Sequence, residues 1–269
     1  MDSTILNHFQ SKSPTIEERM AAGKALRAKF PRIKQGEYKP SAKRADPVSI
    51  LEVQGQTRLQ ELVPIRYARM LTSPFAFLRG GAAIMAADLA AGPKPTGITV
   101  QACGDMHVAN FGVFASAERN LVFGINDFDE TLPGPWEWDL KRLVASIVAS
   151  GRFLGANKRL CRQGVQAAVS SYRKHMQEYA HMGYLDLWYA TINETDILKS
   201  LTGTAHKGAL KIMAKARQRT HLQVLGKLTD LVDEKYRLRE NAPFIVRETN
   251  VQGGRPIEEA LGLFFESYF

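Results

Sequence analysis

A helix-rich α+β domain is the fold class this sequence predicts, and three observations predict it. Helix-length segments with capping signals occupy most of the chain. Only two short β-branched runs, Gly97 to Cys103 and Asn120 to Asn126, have the length and composition of strands. The breaker cluster Gly92-Pro93-Lys94-Pro95 separates the helical texture before it from the strand texture after it.

Taken in order, Thr15 with Glu18 three residues on has the spacing of a capping box and predicts a helix from Ile16 to Lys29. The chain then loosens through Pro31, Gly36 and Pro40. Helices are expected from Val48 to Leu62 and from Pro64 to Leu71. Ser73 followed by Pro74 is an N-cap with proline at the first helical position, starting a helix that runs to about Ala91. The two strand candidates follow, each ending in a polar loop. Helical pattern returns from Trp136 to Phe153 and from Asn157 to Met182, with shorter pieces to Lys215. Tyr236 to Val246 reads as a small hairpin and Pro256 to Phe269 as a final helix. No internal repeat is present.

A chain of 269 residues with 45% hydrophobic content can bury a full core. Its longest apolar stretches, such as Leu143 to Val148, fall far short of the roughly 20 residues that span a bilayer. The start MDSTILNHFQ lacks a basic segment followed by an apolar one. Cys103 and Cys161 are too few for a disulfide framework or a structural zinc. A cytoplasmic protein with no membrane partner is expected. The net charge of +9 is uneven: residues 1–45 hold ten Lys/Arg against four acids, which makes a basic arm ahead of a domain spanning 46–269. A second run, 204–227, carries six Lys/Arg and no acid. Neither run interleaves aromatics, so binding of nucleic acid or another polyanion through 1–45 ranks below a solvated arm.

Transfer of a phosphoryl group from a Mg-nucleotide needs a carboxylate to orient the acceptor and oxygen ligands for the metal, all on loops at strand ends. CGDMHVAN supplies Asp105 and, five residues later, Asn110; INDFDE supplies Asp127 directly after the second strand. Loop-terminal capping carboxylates explain Asp105 and Asp127 but leave Asn110 and Asp139 without a reason.

The run Gly104-Asp105-Met106-His107-Val108-Ala109-Asn110 resembles the G-D-x-H-x-x-N catalytic loop of aminoglycoside-phosphotransferase and choline-kinase-like enzymes. The run from Asp127 to Leu140 resembles their metal-binding Asp, followed by a turn and an Asp-Leu pair that opens a helix. The resemblance implies a kinase-like C-lobe in which a small β element carries the catalytic and metal loops. Mg and ATP are the implied cofactors, and the acceptor is an unidentified small molecule or protein. Asp105 is then the catalytic carboxylate, Asn110 and Asp127 are metal ligands, and Asp139 is a buried acceptor that ties down the loop. Phosphoryl transfer is the expected reaction, and transfer of a nucleotidyl group is also compatible with these loops. The blocks 64–89, 101–114 and 123–147 also look like an uncharacterised bacterial family catalogued only as a domain of unknown function. No glycine-rich strand-turn and no strand lysine precede Asp105, so an N-lobe equivalent is missing there. In longer members of that family such segments follow the catalytic loops, which implies a permuted order and a chain incomplete at its C-terminus.

Secondary candidates surround these. His107 joins Asp105 at the catalytic position, read as a brace of the loop through its ring nitrogens ahead of a metal ligand. Asp129 and Glu130 are read equally as further metal ligands and as solvated acids, with Asp129 placed in the metal set. Arg79 is a candidate for phosphate or, equally, a partner of Asp139. Of Lys141 and Arg142, one can face the site, and Lys141 is placed with Arg79 as cofactor-binding. Trp136 and Trp138 read as core anchors. Two other readings stand beside the phosphotransferase: a non-catalytic pseudokinase-like binding module, and a metal-dependent phosphoesterase using Asp105, His107, Asp127 and Asp129.

Overall fold

A computed structural model describes residues 14–38, 40, 42–218, 221–246 and 254–268. The first thirteen residues of the basic arm, Lys39, Arg219 of the second basic run, Gly253 and Phe269 lie outside the described residues. The Glu18 amide donates to Thr15 Oγ1 at 3.2 Å and the Thr15 amide donates to the Glu18 carboxylate at 2.7 Å. This capping box opens α1, Ile16–Lys29, as expected. A short α2, Arg32–Gln35, follows. Arg44 grips Asp88 through two bonds of 2.6 and 2.8 Å, fastening the end of the arm to the domain.

The helix expected from Val48 to Leu62 stops at Gly55. Asp46 Oδ2 accepts the Ser49 amide at 2.9 Å and caps α3, Pro47–Gly55. Gln60 then turns the chain back, its Nε2 donating to Gly55 O at 3.0 Å and Arg58 O at 2.9 Å. A 3-10 turn, Gln60–Leu62, leads into α4, Val63–Met70. The long helix expected after Ser73 divides into α5, Pro74–Gly80, and α6, Ala82–Ala90. Two adjacent glycines weaken a helix there, and a Cβ on Gly80 would stand 2.5 Å from the Met70 side chain, which packs in the space the glycine leaves. Leu51, Met70 and Ile84 form a buried cluster joining α3, α4 and α6, with Ile50 and Tyr67 packed against it.

Four strands, rather than two, carry the central loops. β1, Thr99–Ala102, and β3, Leu121–Ile125, fall inside the expected runs. β2, Phe111–Ala115, and β4, Leu132–Pro135, are additional. β1 pairs antiparallel with β4 in the register Ala102↔Leu132, and β2 pairs with β3 in the register Phe111↔Ile125. The chain therefore passes from one ladder to the other at 103–110 and returns at 126–131. Those two connections must run side by side.

α7, Trp136–Phe153, starts and ends where the sequence places it. Asn157 caps α8, Lys158–Tyr179, accepting the Leu160 amide at 2.9 Å. Trp136 stacks on Tyr172 with ring centres 6.0 Å apart, the core anchoring expected of it. There follow α9, Tyr184–Trp188; β5, Ile192–Asn193, which extends the β2–β3 sheet; α10, Glu194–Ser200; α11, Gly203–Gln218; and α12, His221–Leu228. The expected hairpin lies earlier than Tyr236–Val246. β6, Thr229–Val232, and β7, Lys235–Leu238, are joined by Asp233 and Glu234 at φ values of 50° and 60°. Positive φ at both central residues is the two-residue hairpin geometry that asparagine and glycine usually announce, and their absence hides the turn. α13, Ile257–Tyr268, ends the chain's described part. The fold is α+β and helix-rich. No helix among the described residues is long and apolar enough to cross a membrane.

Candidate functional site

One face of α7 holds the 103–110 loop almost residue by residue. Asp139, Arg142 and Ser146 stand at i, i+3 and i+7, which places them on one side of a helix. They are 8%, 3% and 0% exposed. Asp139 Oδ2 accepts the Cys103 amide at 2.7 Å and its Oδ1 accepts the Gly104 amide at 3.0 Å. Arg142 Nε donates to Asp105 Oδ1 at 2.6 Å and its Nη2 to Leu78 O at 2.8 Å. Ser146 Oγ accepts the Val108 amide at 3.0 Å and donates to Leu143 O at 2.6 Å. Gly104 lies at φ +82°, and a Cβ there would come 2.1 Å from Glu130 O. Only glycine lets the first loop bend this tightly against the second.

Asp139 thus accepts two backbone amides of the loop, one with each carboxylate oxygen, and Arg79 makes no bond to it. Lys141 is half-buried and lies outside the cleft lining, while its neighbour Arg142 turns inward to Asp105. The stripe at 139, 142 and 146 is the signal that separates the two residues.

Asn110, 6% exposed, bridges the two loops. Its Nδ2 donates to Asp105 O at 3.2 Å and Asp127 O at 3.4 Å, and its carbonyl accepts the Asn126 amide at 2.9 Å. With the amide nitrogen turned to backbone carbonyls, Oδ1 is the atom left for a cation. Asp127 Oδ1 accepts the Asp129 amide at 3.2 Å. Asp129 thus supports Asp127 through its backbone and lies outside the cleft lining.

Asp105 is largely buried. Burial pushes its carboxyl up, but the His107 contact and the Arg142 guanidinium together hold it below the usual aspartate range. His107 Nε2 stands 3.5 Å from Asp105 Oδ2. His107 Nδ1 has no hydrogen-bond partner among the described residues, so the expected brace acts through one ring nitrogen. Burial raises the Cys103 thiol, which donates to Asp127 O at 3.5 Å and acts as a structural group rather than a nucleophile.

Glu130 is exposed in the second loop. Partial desolvation and the like charges of Asp105, Asp127 and Asp129 hold its carboxyl above the usual range. A raised carboxyl pKa means that folding binds a proton, so stability falls as pH rises through the interval between the unfolded value and the raised folded one. Glu130→Gln is accordingly expected to raise the melting temperature by about 1–2 °C at pH 7 and low salt, with the gain disappearing near 0.5 M salt. Thermal melts at two ionic strengths check this, and an unchanged or lowered value counts against it.

Asp105, His107, Asn110 and Asp127 line one wall of a cleft of about 810 Å³. Arg79 reaches the cleft, as do Arg58, Arg66 and Arg69, which the motifs did not single out. The opposite wall belongs to α4, α5 and the turn before them. A smaller, mainly apolar hollow of about 260 Å³ lies behind Gly104 and Asp139, lined in part by Trp138 and Met85.

Mg takes hard oxygen ligands and is usually held by one or two protein groups, with waters and phosphates completing the shell. Asn110 Oδ1 and the Asp127 carboxylate fit that description. No group of three or more His, Cys, Asp or Glu among the described residues is placed to hold a metal. The cluster of Asp105, His107, Asp127 and Asp129 required by a phosphoesterase is not assembled there.

No curated protein and no solved structure matches the chain. A family model described as an uncharacterized protein conserved in bacteria matches residues 58–268, a span that takes in both loops, α7 and the arginine-bearing helices. The chain belongs to that family, DUF2252.

Proposed function

We propose that the chain is a Mg-dependent, ATP-using phosphotransferase of the kinase-like kind, acting on a small molecule or protein. What carries this reading is the pair of loops lying side by side between two ladders, with Asp105, Asn110 and Asp127 directed to one cleft. Asp105 is ionised at neutral pH and held by Arg142 and His107, so it suits orienting an acceptor hydroxyl more than strong proton abstraction. Asn110 Oδ1 and the Asp127 carboxylate would hold the metal. When bound, Mg supplies neutralisation of phosphate charge during transfer. The buried, unbridged Cys103 and Cys161 support a reducing, cytoplasmic setting.

A non-catalytic binding module is the second reading. It is favoured by the Arg142 bond to Asp105 Oδ1, which occupies an oxygen that a catalytic base would keep open.

Thermal melting with Mg-ATP is the test of nucleotide binding. Wild type is expected to gain several degrees at 100 times the Kd, about 2.7 kcal/mol of linked stability, and Asp127→Ala to gain none. No shift in wild type sinks the nucleotide reading. A shift without ADP release across a panel of hydroxyl acceptors selects the binding module.

A further inference from the structure

The four cleft arginines share one property: no carboxylate pairs with any of them among the described residues. Ion pairs in the described residues engage Arg44, Arg142, Arg217, Arg237, Arg239 and Arg255 with carboxylates. None engages Arg58, Arg66, Arg69 or Arg79, although all four line the same cleft. Arg66 and Arg69 are one helical turn apart on α4, where like charges repel. Arg66 is fixed by donating Nη2 to Gly80 O at 2.7 Å, and Arg69 lies 5.1 Å over the Phe244 ring. Burial, then the nearby charge of Arg58, holds the Arg66 guanidinium below its ordinary range. Two of the four are therefore held in place. Among the described residues, the only acids lining the cleft are Asp105, already matched by Arg142, and Asp127. Positive charge exceeds negative on the walls, and the surplus faces the metal-binding pair.

We infer that Arg58, Arg66, Arg69 and Arg79 form the polyphosphate-binding wall of this cleft, taking the phosphate chain of the nucleotide by guanidinium forks. The inference rests on the phosphotransferase reading for the identity of the ligand, but its chemistry is that of any linear polyphosphate. Guanidinium groups match phosphate oxygens two at a time and stay charged when half-buried. In this chain the task that a glycine-rich loop performs elsewhere falls to α4, α5 and the turn before them.

The test is calorimetric titration of the full chain with inorganic tripolyphosphate, inorganic phosphate and O-phosphoserine in the absence of metal. Tripolyphosphate is expected to bind at least tenfold more tightly than either single phosphate, and to compete with ATP. Arg58→Ala, Arg69→Ala and Arg79→Ala, all at exposed positions, are each expected to weaken it about tenfold. The equally exposed Arg162→Ala on α8 is expected to leave it within twofold, which separates the wall from general surface charge. Asp127→Ala is expected to bind metal-free tripolyphosphate as tightly as wild type or more so, while losing the Mg-ATP melting shift. Equal binding of single phosphates, or cleft variants that behave like Arg162→Ala, overturns the inference. Tripolyphosphate binding without any Mg-ATP shift upholds the wall and removes the phosphotransferase reading, so the two failures are distinct. Melting temperatures near wild type for the arginine variants confirm that lost binding is not lost folding.

Discussion

Asp139→Ala is expected to destabilise the protein by about 3–5 kcal/mol and to lower its melting temperature by roughly 10 °C. The carboxylate accepts two backbone amides, the buried Cys103 at 2.7 Å and the half-buried Gly104 at 3.0 Å. Each is a charge-assisted bond, and removing their acceptor leaves both N–H groups, one of them fully buried, without partners. Asp139→Asn does not restore the pair, because one end of the amide brings a donor against a donor. Gly104 precedes Asp105 and is pressed against Glu130, so the loss spreads to both loops. Hydrogen exchange at the Cys103 and Gly104 amides, expected to quicken at least a hundredfold, reports the release locally. A loss below about 1 kcal/mol, or unchanged exchange, contradicts the clasp.

Arg142→Ala is expected to cost a similar amount, about 3–5 kcal/mol, because it strands a buried carboxylate. Arg142 is 3% exposed and is joined to Asp105, Leu78 O and Met85 Sδ. With the guanidinium gone, Asp105 keeps only His107, and burial then dominates its titration. In wild type the Asp105 carboxyl lies below its usual range. A depressed folded pKa contributes stability that is complete above the unfolded value, near 3.9, and is lost as pH falls through the folded one. The deficit of Arg142→Ala should therefore be largest at neutral pH and shrink as the pH falls below about 4, where the unfolded carboxyl takes up its proton, closing only below the depressed folded value of wild-type Asp105. Denaturant melts at pH 7 and pH 3.5 measure this. A deficit independent of pH would assign the Arg142 effect to packing alone. On the proposed phosphotransferase reading, Mg-ATP binding should weaken as well, since the Asp105 side chain loses its fixed direction.

Parts of this arrangement were legible because they are local. The Thr15–Glu18 box, the Ser73-Pro74 start, the Asn157 cap and the run from Trp136 to Phe153 are written in neighbouring residues, and they appear where local chemistry puts them. The loop pair was legible for a different reason: spacing within CGDMHVAN and INDFDE places Asp105, Asn110 and Asp127 at strand ends wherever those strands go. β4 was not legible, because Leu132-Pro133-Gly134-Pro135 has the composition of a turn. Its prolines are tolerated in a strand of a two-stranded sheet, where half the backbone groups have no ladder partner. β2 was hidden for a related reason, its extended form being secured by the Phe111↔Ile125 register with β3.

By itself the sequence determined the helix-rich α+β class, and it singled out the two loops and the residues Asp105, Asn110, Asp127 and Asp139 that the structure brings together. Tertiary structure decided which neighbours serve them. Lys141 and Arg142 are adjacent and both basic, and only the rotation of α7 against the loop sends Arg142 inward. Arg58 comes from the turn before α4, Arg66 and Arg69 from α4 and Arg79 from α5, so no spacing rule joins all four. Their meeting depends on how α4 and α5 cross the loop pair, and such crossings are set by packed side chains distant in sequence rather than by the local pattern of any one segment.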